Sequence, residues 1–80
     1  MKYFQCRLHR ETSENPEAKY IMVAWIEEKG AKPGFLVELK GEEGLWHVDS
    51  VDPIPVDAKY LTEKQNMDRR SLTSITGKQK

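Results

Sequence analysis

The chain has 80 residues, and its thirteen lysines and arginines balance thirteen aspartates and glutamates, so it carries no net charge at neutral pH. That length allows one domain with a small core, and zero net charge excludes the long-range attraction of a protein that coats nucleic acid or an anionic membrane. A lone cysteine, Cys6, excludes an internal disulfide, and no segment approaches the roughly 20 apolar residues needed to span a bilayer.

Residues 3 to 10 alternate, with Phe4, Cys6 and Leu8 on one side and Gln5, Arg7 and His9 on the other, the period of a half-buried strand. On this pattern Arg7 and His9 share an exposed face with Tyr3. The polar run from Glu11 to Glu17, which contains Pro16, predicts a surface loop. Lys19 to Ile26 is rich in β-branched and aromatic residues on both faces and predicts a central strand covered twice.

Glu27 to Gly34 breaks that pattern, and Pro33-Gly34 fits the central positions of a type II turn, because proline presets φ and glycine accepts positive φ. Phe35, Val37 and Leu39 then alternate, and a Gly-Glu-Glu-Gly turn at 41 to 44 leads into Leu45 to Val51 as a hairpin, with Trp46 and Val48 facing inward. Pro53 and Pro55 end that strand. Asp57 is placed to cap a helix reaching Arg70, with Val56, Tyr60, Leu61 and Met67 on its apolar stripe.

The predicted fold is mainly β: a small SH3-like barrel or a curved antiparallel sheet of four strands in meander order, with a C-terminal α-helix. Residues 1–55 form the sheet, 56–70 the helix packed on it, and 71–80 a flexible tail held only by Leu72 and Ile75. The charge is uneven: residues 11–55 hold ten acids against four lysines, while both flanks are basic. The first residues lack the apolar run of a signal peptide, which together with the single thiol predicts a cytoplasmic protein.

Catalytic and metal constellations are poorly represented. Cys6 and His9, three apart on a strand, point to opposite faces and do not chelate one ion. A nucleophilic site would need Cys6 activated by His47 with Asp49 orienting the ring, but Cys6 lies between Phe4 and Leu8, where a thiol is an inert core residue. No enzyme activity, metal or cofactor is therefore expected. Arg7, Tyr20, Trp25, Lys32, Trp46, Arg69 and Arg70 form a different set, since arginine pairs bidentately with phosphate and an aromatic face stacks a base. The competing reading makes Trp25 and Trp46 large core residues and Arg69-Arg70 a pair at the negative end of a helix dipole.

Ala24-Trp25-Ile26, Ala31-Lys32-Pro33-Gly34, Val37-Glu38-Leu39-Lys40 and Gly44-Leu45-Trp46-His47-Val48, with Cys6-Arg7-Leu8 as opening strand, resemble a group of short tailed-phage proteins. The resemblance covers residues 3 to 51, and the helix loosely through Tyr60, Glu63 and Arg69-Arg70. Glu27 stands where that group tends to have proline, and Pro33 where it tends to have an aliphatic residue.

The resemblance implies a phage protein made in the host bacterial cytoplasm. By a looser analogy the chain looks like phage sponge proteins, oligomers that sequester cyclic nucleotides made by host defences such as CBASS. The expectation is then a non-enzymatic homo-oligomer that holds a cyclic nucleotide. The alternatives are an inhibitor of a host enzyme that presents the acidic loops at Glu27-Glu28 and Glu42-Glu43, and a minor virion component. Neither a membrane nor nucleic acid is expected as partner.

Overall fold

In the computed structural model, which describes residues 1–11 and 19–78, the alternating N-terminal segment is strand β1 (Lys2–Glu11) and the β-branched run that follows is β2 (Lys19–Glu27). The two pair antiparallel in unbroken register from Tyr3↔Glu27 to Glu11↔Lys19. The loop expected over 11–17 lies, after Glu11, outside the described residues.

A 3₁₀ turn (Glu28–Gly30) carries the chain to β3 (Phe35–Leu39) through the expected type II turn: Gly34 has φ +88° and the Phe35 amide donates to the Lys32 carbonyl at 3.1 Å. The hairpin partner is β4 (Leu45–Val51), with Val37 opposite Trp46. The chain then forms β5 (Val56–Asp57), a 3₁₀ turn (Ala58–Tyr60), a short helix α1 (Glu63–Met67) and β6 (Leu72–Lys78).

These strands make one curled antiparallel half-barrel, mainly β as predicted, in the order β2-β1-β4-β3-β6, with β5 also on β1. The order is not a meander, because β1 reaches past its hairpin partner and pairs with β4 from Cys6↔Val51 to His9↔His47. β1 is long enough for two neighbours on that edge: its outer end, Lys2 and Tyr3, takes β5.

Two further expectations are corrected. The helix over 56–70 is reduced to five residues, because Val56 and Asp57 are drawn into the sheet and Asp57 caps only a 3₁₀ turn through the Lys59 amide. The helix starts afresh at Thr62, whose hydroxyl accepts from the Gln65 amide while the Gln65 side chain accepts from the Thr62 amide, a reciprocal capping box. Of the proposed stripe only Leu61 is buried; Val56 is half-buried, and Tyr60 and Met67 are exposed.

Nor is 72–78 a tail. It is a strand along β3, with Leu72 against Leu39 and Ile75 against Val37, and the Lys40 amide donates to the Ser71 carbonyl at 2.8 Å. Leu-Thr-Ser-Ile-Thr is β-branched at Thr73, Ile75 and Thr76, and pairing satisfies the edge of β3.

The segment before β6 also reaches the opposite edge of the sheet. The Trp25 amide donates to the Asp68 carbonyl at 2.9 Å and the Arg70 amide to the Trp25 carbonyl at 3.0 Å. One continuous stretch, Asp68 to Lys78, thus touches both β2 and β3 and draws the sheet into its curl.

The concave face holds the main core: Cys6, Leu8, Ala24, Ile26, Val37, Leu39, Trp46 and Val48, with Ala31. Each fully buried aliphatic side chain there contributes roughly 1.5–3 kcal/mol relative to exposure. A second cluster lies on the convex face, where Tyr3 and Trp25 pack under Leu61 with Val56 and Ala58 beside them. Tyr3 is therefore buried, and so is His9; only Arg7 of the expected exposed trio is on the surface.

Candidate ligand-binding site

The inward alternation of β1 does not stop at Leu8. Its next member is Arg10, opposite Tyr20 on β2 at the mouth of the half-barrel. The guanidinium carbon lies 4.6 Å from the Tyr20 ring centroid and 5.7 Å from that of Trp46, a cation held by two aromatic rings. Gly44 makes room for it: a Cβ there would come within 2.8 Å of Arg10 Cδ.

Two donors at this mouth lack an acceptor among the described residues. Arg10 Nε and Trp46 Nε1 are both buried, and neither has a hydrogen-bond partner among the described residues. No carboxylate among them forms an ion pair with Arg10. Guanidinium and indole N–H groups only donate, so a complementary group must present acceptor oxygens, and the positive charge favours an anion. Tyr20, 54% exposed, forms the rim.

The convex face carries a second feature where β4 leaves β1 at Val51 and the chain returns as β5. Two adjoining cavities, about 380 and 460 Å³, share Gln5 and Asp52. Trp25, Lys64 and Asp68 border the first, Arg7 and Val23 the second. Trp25 is only 7% exposed, so it serves as a core residue under Leu61 more than as a stacking platform.

The seven residues singled out from sequence therefore do not form one site. Tyr20 and Trp46 converge on Arg10. Arg7 and Trp25 line the convex cavities, and Arg69 lies over Tyr3, 5.5 Å from its ring. Arg70 Nη1 donates to the Met67 and Arg69 carbonyls and so caps the end of α1. Lys32 stands exposed in the turn before Pro33, apart from both groups. The residue that sequence reasoning missed is Arg10, although the Phe4-Cys6-Leu8 alternation already pointed it inward.

The residues considered for catalysis separate as well. Asp49 orients His9, not His47: His9 Nδ1 donates to both Asp49 carboxylate oxygens at 2.7 Å, and the His47 ring stacks parallel on His9 with centroids 4.5 Å apart. This cluster is on the convex face. Cys6 is on the concave one, where burial pushes its thiol up to about 12 and leaves it without thiolate at neutral pH.

Among the described residues no three of His, Cys, Asp and Glu are grouped so as to hold a metal ion. No helix among them is long and apolar enough to cross a membrane. The acidic loops also lie apart: Glu27 pairs with Tyr3 at one end of β1, whereas Glu42-Glu43 precede Gly44 beside Arg10 at the other, about 23 Å away along the strand.

No family model matches the chain, and neither the curated proteins nor the solved structures contain a match to it.

Proposed function

We propose that this is a phage-encoded binding protein, acting in the host cytoplasm without catalysis of its own, that sequesters a cyclic-nucleotide defence signal at the mouth of its half-barrel. The observation that carries the reading is Arg10, held between Tyr20 and Trp46, whose own Nε and the neighbouring Trp46 Nε1 are donors with no acceptor among the described residues. A phosphodiester pairs with the partly exposed guanidinium and neutralises it. Tyr20 at the rim offers an aromatic surface to the base. Because the two rings already fix Arg10, little side-chain entropy is lost on binding.

Thermal unfolding with mononucleotides, cyclic dinucleotides, cyclic trinucleotides and short DNA tests the reading. At a hundred times its dissociation constant, the cognate cyclic nucleotide is expected to raise the midpoint by about 10 to 20 °C. Arg10→Ala should abolish the shift. Loss of the shift in Arg7→Ala instead would move the seat to the convex cavities, and no shift with any nucleotide would sink the proposal.

A further inference from the structure

The outer edge of β2 is built differently from that of β6. In an antiparallel strand the amide and carbonyl of one residue point to the same side, and successive residues alternate. Trp25 directs both groups away from β1, to Asp68 and Arg70. The β1–β2 register is unbroken, so Val23 and Ile21 direct theirs the same way. Among the described residues nothing pairs with them there, since the only bridge on that edge is the one at Trp25.

Protein edges are ordinarily blunted by charges, prolines or bulges. β6 is blunted: its pairing with β3 shifts register twice, and its sequence is rich in serine and threonine with Gly77 near its end. From Tyr20 to Val23, β2 has no charge, no proline and no bulge. Ile21 and Val23 are 60% and 48% exposed on the convex face.

We infer that two copies of this chain pair through this edge, β2 against β2, antiparallel about a twofold axis at Met22. That axis sets Ile21 of one protomer opposite Val23 of its partner. Both residues carry outward-pointing backbone groups, so each such pair exchanges two N–H···O bonds. The same register sets β-branched side chains against each other, a favourable cross-strand contact. The arrangement is self-complementary, as a twofold interface must be. Zero net charge leaves no repulsion between the copies. The paired segment ends where Asp68–Arg70 already occupies Trp25. Of the ligand seat only Tyr20 lies on the paired segment, and its ring stays on the concave face with Arg10 and Trp46, opposite to the Ile21–Val23 contact.

Sedimentation equilibrium and amide hydrogen exchange on the whole chain decide the matter. The parent is expected to sediment as a dimer, with the Ile21 and Val23 amides protected increasingly as concentration rises. Ile21→Lys and Val23→Lys should each weaken dimerisation by at least about tenfold, or about 1.4 kcal/mol. Leu45→Lys, on the same face but on the interior strand β4 and 41% exposed, should leave the dimer intact. A parent that stays monomeric, a dimer whose Ile21 and Val23 amides exchange freely, or equal dissociation by Leu45→Lys would each overturn the inference. The exchange measurement needs no variant, so it holds even if a lysine variant fails to fold. A ligand-induced thermal shift in a monomeric parent would remove the dimer and leave the ligand reading standing.

Discussion

Asp49 presents both of its carboxylate oxygens at 2.7 Å to one nitrogen of His9, the Nδ1 of a ring that is buried on the convex face of the sheet. An ionised carboxylate only accepts, so that nitrogen carries the hydrogen. The His47 ring, opposite His9 across the β1–β4 pairing, covers it in a parallel stack. The three side chains fasten β1 to β4 on the face where no apolar core does so.

Removing the carboxylate leaves a buried N–H unpaired, which costs about 1–3 kcal/mol. Asp49→Ala is therefore expected to lower the urea midpoint accordingly. Asp49→Asn, which keeps an acceptor, should cost less. If Asp49→Ala and parent unfold at the same midpoint, the pair contributes nothing to the fold.

Gly44 and Gly41 separate backbone strain from side-chain displacement. Both have positive φ, +82° and +84°, where an alanine costs roughly 1–2 kcal/mol. Around Gly41 a new Cβ meets nothing within 4 Å, whereas at Gly44 it meets Arg10 Cδ at 2.8 Å. Gly41→Ala should lose stability alone. Gly44→Ala should also move Arg10 off its rings, changing the fluorescence of Trp46 and eliminating any nucleotide-induced shift. Matching spectra and matching ligand responses in the two variants would show that the Arg10 stack tolerates the displacement.

The parts of the fold that could be read in the sequence were those set by local chemistry. Phe4-Cys6-Leu8, the Pro33-Gly34 turn and the Trp46-Val48 pair are where period and turn residues put them, because each depends on neighbours a few residues away. The register of β1 against β4 does not, and it is what buries His9 against Asp49 and orders the sheet. The C-terminal stretch misled for a related reason: Leu72 and Ile75 look like sparse anchors until β3 offers an edge to pair with. At the candidate site Tyr20 and Trp46 were legible as aromatic residues. Their convergence on Arg10 needed the hairpin register.

Cys6 gives a prediction on pH. Its thiol is buried on the concave face, donates to the Phe4 carbonyl at 3.5 Å, and is pushed by desolvation from an ordinary 9.0 up to about 12. Above pH 9 the unfolded chain therefore loses this proton while the native chain keeps it, so the unfolded state binds fewer protons and stability falls as pH rises. The loss begins near 9, continues until the native thiol itself ionises near 12, and has a limiting slope of about 1.4 kcal/mol per pH unit. Below 9 the contribution is complete. Other groups titrate in this range, so the measurement is a difference: denaturant unfolding of the parent and Cys6→Ala, both from pH 8 to 11. The parent should be the more stable at pH 8, because the alanine leaves a small cavity, and its advantage should shrink steadily above 9. Alkylation of the native thiol should proceed only at the rate at which the domain opens. A constant difference between the two proteins across the range, or rapid alkylation of the folded parent, would mean that Cys6 is solvated and not part of the core.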